Sequence, residues 1–137
     1  MNRQRLWLSC AAVFVFIFGF EWAFHGIVLK GLYAQTSNLW RSEVEMMDYF
    51  AWLVMGQLVV AVLFSYIFTK GYENQGMSEG VRYGLLVGLL MSAPCLVSYA
   101  VQPLPLYLVG AWVVGTLFEY VLAGIILVMV YRVPQSQ

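Results

Sequence analysis

Charged residues are scarce in this chain. They make up 10% of its 137 residues, whereas ordinary soluble domains have roughly 25%. Hydrophobic residues make up 62%, and a soluble chain of this length has too little interior to bury them, because small domains bury a smaller fraction of their surface than large ones. The composition therefore excludes an ordinary soluble domain and predicts an integral membrane protein.

A basic surplus, a cysteine framework and catalytic motifs are also missing. Seven basic and seven acidic residues give zero net charge, so no nucleic-acid partner is expected, since phosphate binding needs a basic surplus. Cys10 and Cys95 are expected at different depths of the membrane, too far apart for a disulfide. The sequence has no Walker loop, nucleophile elbow, HExxH or CxxC. No motif therefore identifies a reaction.

Four apolar segments are long enough to cross a bilayer, which takes about 20 mostly apolar residues. They lie at about 6–32, 46–69, 81–101 and 106–131. Ser42 and Glu45 form a capping box before the second segment, and Pro103 and Pro105 make a tight hairpin between the last two. We therefore expect an all-α four-transmembrane-helix bundle with short loops and no soluble domain, a single membrane domain over residues 1–137.

The distribution of Lys and Arg predicts the orientation, because cytoplasmic loops carry an excess of these residues. One side of the predicted bundle has five of the seven and the other side has two: Arg3, Arg5, Lys70, Arg82 and Arg132 against Lys30 and Arg41. We therefore expect a multi-pass protein of a bacterial inner (cytoplasmic) membrane, with its N- and C-termini in the cytoplasm.

Small residues at four-residue spacing mark helix faces that approach other helices closely in lipid. The third and fourth predicted spans carry such stripes: Gly84, Gly88 and Ser92 in the third, and Ala111, Gly115 and Ala123, together with Glu119, in the fourth. We interpret them as packing within the four-helix bundle. Homodimerisation through Gly84 and Gly88 is the alternative.

Polar side chains inside the spans are costly and are therefore functional candidates. Counting about 1.5 Å per residue from one flank puts Glu21 at ~24 Å, Gln57 at ~18 Å and Glu119 at ~20 Å. Ser98 reaches a similar level, and His25 follows Glu21 by one helical turn on the same face. We therefore predict one intramembrane polar site built from all four helices: Glu21, His25, Gln57, Ser98 and Glu119.

This polar site has two interpretations. Two carboxyl groups and an imidazole can bind a proton or a cation near neutral pH. Alternatively, both acids are protonated and hydrogen-bonded, and they fix the register of the helices. A metal site is not expected, because carboxylate sites in helix bundles repeat Glu-x-x-His on several helices. No cofactor is expected either.

Residues 20–33 and 118–131 read FEWAFHGIVLKGLY and FEYVLAGIILVMVY, which agree at several positions. The two helices run in opposite directions in a four-span topology. An inverted repeat would therefore pair Glu21 with Glu119, as inverted repeats do in transporters. Membrane helices share a small residue alphabet, however, and the middle spans show no comparable match, so chance agreement stays open.

The second half of the chain reads EGVRYGLLVGLLMSAPCLVSYAVQPLPLYLVGAWVVGTLFEYVLAGIIL. It resembles the corresponding half of a bacterial family of small four-helix membrane proteins of unknown function. The shared features are a Gly-Leu-rich third helix, a short polar hairpin followed by Leu-x-Leu, and a glycine-containing last helix. The resemblance implies four spans, and it carries over no functional residue.

The sequence favours a small, non-enzymatic membrane protein that is an accessory or assembly subunit, or a homo-oligomer. Its partners would be the lipid bilayer and a second copy or a larger membrane complex. One alternative is a proton- or cation-coupled transporter module that uses Glu21, His25 and Glu119. Another is a cofactor-binding subunit of a membrane oxidoreductase. A polar cavity that joins the two acids would favour transport.

Overall fold

The computed structural model describes residues 2–132, and every regular element in that range is helical. The elements are α1 (Arg3–Ala23), a π-helical turn (Phe24–Val28), α2 (Lys30–Gln35), a 3-10 turn (Ser37–Leu39), α3 (Glu43–Asp48), α4 (Phe50–Lys70), α5 (Met77–Val101) and α6 (Leu106–Tyr131). Residue 1 and residues 133–137, the ends of the predicted membrane domain, lie outside the described range.

Four stretches are long and apolar enough to cross a membrane: Arg3–Val28, Phe50–Lys70, Met77–Val101 and Leu106–Tyr131. The prediction of an all-α bundle with four such helices is confirmed, and the chain has the structure of a small multi-pass membrane protein. We call the end that holds the start of α1 and the α4–α5 loop the terminal end. The end that holds α2, α3 and the α5–α6 turn is the hairpin end.

The connection before α4 carries the predicted capping box. Ser42 Oγ accepts a hydrogen bond from the Glu45 backbone N–H, and the Glu45 carboxylate accepts one from the Ser42 backbone N–H at 3.0 Å. The box begins the short helix α3, and Tyr49, at φ −105° and ψ 4°, separates that helix from α4. The predicted second span, 46–69, therefore covers the end of α3 as well as most of α4.

A buried acid holds the α4–α5 loop. Glu79, in the first turn of α5, is 3% exposed, and its carboxylate accepts hydrogen bonds from the backbone N–H groups of Glu73 and Gln75 at 2.7 and 2.8 Å. Asn74 and Gly76 reverse the chain with φ angles of 58° and 71°. This turn ends the loop at Gly76, so α5 begins at Met77 rather than at the predicted residue 81.

α5 and α6 are in backbone contact through glycine. A Cβ atom added at Gly84 would lie 2.2 Å from the carbonyl oxygen of Tyr120, and one at Gly124 would lie 2.1 Å from the carbonyl oxygen of Gly80. Gly88 lies against Leu117. The face that holds Gly84 and Gly88 is therefore filled by α6 of the same chain.

The other predicted packing residues are buried to different extents. Ser92 is buried and its hydroxyl donates to the Gly88 carbonyl at 2.7 Å. Ala123 is fully buried, and Ala111 is half-buried. Gly115 lies directly against the ring of Phe24, which an added Cβ would overlap. At Gly115 the stripe on α6 therefore contacts the π-helical turn that follows α1, whereas the α6 residues that meet the glycines of α5 are Leu117, Tyr120 and Gly124.

The apolar core lies mainly in the terminal half of the bundle. α6 packs against both α1 and α5, and α1 packs against α4. The core side chains are Val13, Ile17, Ala61, Phe64, Phe68, Tyr120, Ala123, Leu127, Val128 and Tyr131. Every buried residue of α4 lies between Ala61 and Phe68. The first half of α4 therefore packs loosely, and it lies beside the polar residues.

Candidate functional site

A pocket of about 300 Å³, open on one side, lies between α1, α6 and the first half of α4, and we call it the cavity. Its polar lining consists of Glu21, Gln57 and Glu119. The rest of its wall includes Ile17, Val60 and the rings of Trp52 and Tyr120. Glu119 is in the middle of α6, about 20 Å from either end at 1.5 Å per residue. The cavity therefore lies near the middle of the membrane.

Glu21 and Glu119 lie on different helices and line the same cavity. Their carboxyl groups are close enough to interact electrostatically, although the Glu21 side chain is one-third exposed. Two ionised carboxylates repel each other, so a proton on one of the pair relieves that repulsion. Glu119 is 2% exposed, and its Oε1 atom, like Oε1 of Gln57, has no hydrogen-bond partner among the described residues. The pair can thus hold one proton while acceptor atoms remain unused.

His25 lies in the π-helical turn that follows α1. The backbone N–H of Leu29 donates to the carbonyl of Phe24, five residues earlier, at 2.8 Å. Such turns are rare and are frequent at functional sites. His25 Nε2 lies 3.3 Å from Glu21 Oε2. The π-helical turn therefore connects the acid pair to the hairpin end of the bundle.

A chain of hydrogen bonds continues from His25. Trp112 Nε1 donates to Tyr33 Oη at 2.7 Å, and Tyr33 Oη hydrogen-bonds with His25 Nδ1. An indole N–H is only a donor, so Tyr33 accepts from Trp112. Its own O–H can then donate to His25 Nδ1 in the tautomer that carries the ring proton on Nε2. In that tautomer His25 is neutral, and its Nε2–H lies on the side of Glu21, 3.3 Å from Oε2.

Aromatic rings cover this chain at the hairpin end. Tyr33 stacks on His25 and meets Trp40 edge to face, and Trp40 meets Trp112 at a centroid distance of 5.8 Å. The Trp40 indole N–H donates to Thr36 Oγ1 at 2.9 Å. Burial raises the pKa of Tyr33 to about 12, so its phenol stays protonated and can keep donating to His25.

The predicted site residues fall into three groups. The first group lines the cavity and consists of Glu21, Gln57 and Glu119. His25 does not line the cavity but contacts Glu21. Ser98 is half-buried in α5 and does not line the cavity. The polar lining thus comes from α1, α4 and α6. Within residues 2–132, no three His, Cys, Asp or Glu side chains are grouped so that they could hold a metal ion.

Sequence analysis did not single out Tyr33, Trp112 or Trp52. Trp112 precedes Glu119 by seven residues, two helical turns, so its place on the same face of α6 is visible in the sequence. Tyr33 follows the end of the predicted first span. Its contact with His25 depends on the π-helical turn, which no apolar periodicity indicates.

The chain matches no protein-family model, no curated protein and no solved structure. The resemblance of its second half to small bacterial four-helix membrane proteins therefore stays a prediction. Its function has to be inferred from the geometry of the site.

Proposed function

We propose that this chain is a proton- or cation-coupled transporter module, which exchanges a proton for a cation at the Glu21–Glu119 pair. The observation that carries the proposal is the mid-membrane cavity lined by both acids, in which Glu119 keeps one oxygen without a partner. An unpaired buried polar group costs about 1–3 kcal/mol, so this oxygen favours an occupant of the cavity as its partner.

The acid pair supplies the exchange step. With one proton the pair carries a single negative charge, and a cation in the cavity competes with the proton for the two carboxyl groups. When the cation binds, the proton leaves; when the cation leaves, a proton returns. The cation-bound state is stabilised because opposite charges attract each other more strongly in a low-dielectric interior than in water. The other state is stabilised because the proton relieves the repulsion between the two carboxylates.

The hydrogen-bond chain supplies a route for the proton. Glu21 contacts His25, which bonds through its other ring nitrogen to Tyr33. An imidazole with a polar partner at both nitrogen atoms can take up a proton at one and release it at the other. The route runs from the cavity to the half-buried Tyr33 at the hairpin end. There water has to supply or take the proton, because the Trp112 N–H is only a hydrogen-bond donor.

The orientation belongs to the same proposal. Five of the seven Lys and Arg residues lie at the terminal end, which supports an inner-membrane protein with cytoplasmic termini. The proton route then opens toward the non-cytoplasmic side.

Ion flux across liposomes tests the proposal. The purified chain is reconstituted around an internal pH-sensitive dye, and gradients of Na⁺, K⁺ or a tetraalkylammonium salt are imposed in turn. We expect a pH change in the wild type that Glu21→Gln and Glu119→Gln abolish. Glu43→Gln changes an exposed acid of α3 and is the matched control. If no gradient moves protons faster than in empty liposomes, the chain is better described as an accessory or assembly subunit.

A further inference from the structure

We infer that the cavity binds an organic monocation, either a hydrophobic amine or a quaternary ammonium ion, with its nitrogen beside Glu119 and its apolar part against α1 and α4. This inference rests on the proposed function, because it names the class of cation that takes the place of the proton. Charge, volume and wall chemistry each contribute to it.

The charge of the lining selects a cation. Both charged residues of the lining are acids, Glu21 and Glu119, and no Lys or Arg belongs to it. The unpartnered Oε1 atoms of Glu119 and Gln57 are acceptors, so they require a donor or a positive charge from the occupant. A buried carboxylate without a partner is costly, and an ammonium group removes that cost.

The volume of the cavity exceeds what a proton or an inorganic ion requires. The cavity has a volume of about 300 Å³, roughly ten times the ~30 Å³ that one water molecule takes up in the liquid. A small inorganic cation would leave most of that space as water against apolar walls. Cavities that bind small organic molecules begin at about this size.

The walls suit an apolar, positively charged molecule. Ile17, Leu53 and Val60 supply aliphatic surface, and Trp52 and Tyr120 supply rings. Cations are attracted to the faces of aromatic rings, most strongly to Trp. Trp52 is 68% exposed at the rim, and the loosely packed first half of α4 leaves a way into the cavity beside it. A charged head and an apolar body are therefore both accommodated.

Equilibrium binding of radiolabelled benzyltrimethylammonium to the full chain in lipid nanodiscs tests the inference. Neopentylbenzene has the same shape without the charge and is the ligand control. We expect saturable binding that excess neopentylbenzene does not displace. Glu119→Gln should weaken the affinity at least tenfold, because it removes the negative charge beside the nitrogen. Trp52→Ala should weaken it several-fold, because it removes the ring face that attracts the cation. Trp22→Ala removes an exposed ring of α1 outside the cavity lining and should change nothing.

Each other result contradicts the inference. It fails if no saturable binding occurs, if neopentylbenzene competes as well as the cation, or if either cavity variant folds and binds like the wild type. Because Trp52 is exposed, Trp52→Ala is expected to fold. If Glu119→Gln does not fold, Trp52→Ala still decides the test. Absent binding together with Na⁺- or K⁺-driven proton flux in liposomes would refute this inference alone. Absent binding with no flux would refute the proposed function as well.

Discussion

The glycine contact between α5 and α6 predicts a large effect for a small substitution. In Gly84→Ala the new Cβ atom would lie 2.2 Å from the Tyr120 carbonyl oxygen, whereas real Cβ atoms stay beyond 3.0 Å. The two helices must therefore separate locally by the difference, 0.8 Å or more. Overpacking costs about 1–3 kcal/mol, and a gap of about 0.5–1 Å along the interface forfeits a quarter to a half of each dispersion contact. We expect the free energy of unfolding to fall by about 3 kcal/mol.

Gly110→Ala, on α6 itself, is the matched control because an added Cβ meets no atom within 4 Å. Alanine favours a helix by about 1 kcal/mol over glycine, so this variant should be as stable as the wild type or slightly more so. Thermal unfolding in one detergent, followed by circular dichroism, compares the two variants, and light scattering gives their oligomeric mass. Equal stability of Gly84→Ala and Gly110→Ala would refute the backbone contact. A change in mass at unchanged stability would instead identify the Gly84 face as a dimer interface.

Three further predictions concern single hydrogen-bonded groups. Tyr33→Phe leaves the Trp112 N–H without its acceptor and should lower the free energy of unfolding by about 1–3 kcal/mol. Adding Trp112→Phe should recover part of that loss. A Tyr33→Phe variant as stable as the wild type would contradict the hydrogen bond. Glu79→Gln offers one oxygen where two loop N–H groups bond, so amide exchange in the α4–α5 loop should accelerate; unchanged exchange would show that the carboxylate does not hold the loop. Hydrogen bonds from the Ser42 backbone N–H and hydroxyl hold the pKa of Glu45 below its ordinary value of 4.5. The protection of the α3 amides from exchange should therefore be constant above pH 4.5 and decline as the pH falls through the lowered pKa. Protection that rises on acidification would contradict the lowered pKa.

The four helices could be predicted because lipid imposes a simple length requirement on apolar segments. Their ends were harder to locate. The predicted third span began at residue 81, although α5 begins at Met77 and includes Gly80. The first turn of α5 contains Glu79, and a charged residue beside an apolar segment is typical of a loop. Only the structure shows that its carboxylate accepts hydrogen bonds from two backbone N–H groups. The contact between Gly80 and Gly124 was missed for the same reason.

The polar site was only partly accessible from the sequence. Counting residues along straight helices put Glu21, Gln57 and Glu119 at one level, and the structure has all three on one cavity. Helical spacing also related Glu21 to His25. The partner of His25 on its other side, Tyr33, depends on the π-helical turn, which changes the direction of the chain without changing its composition. The cavity itself depends on how loosely the first half of α4 packs, which composition does not specify.

An exchangeable proton on the acid pair is the property on which the proposed function depends. Infrared difference spectroscopy follows the carboxyl stretch of the reconstituted protein from about pH 4 to about pH 9, a range that brackets ordinary carboxyl and imidazole titration. Glu21→Gln and Glu119→Gln assign the bands. We predict a carboxyl band that is absent from the Glu119→Gln spectrum and that loses intensity reversibly within this range. Carboxyl bands that stay protonated and unresponsive throughout would contradict the proposal and identify the two acids as fixed hydrogen-bond donors in a structural subunit.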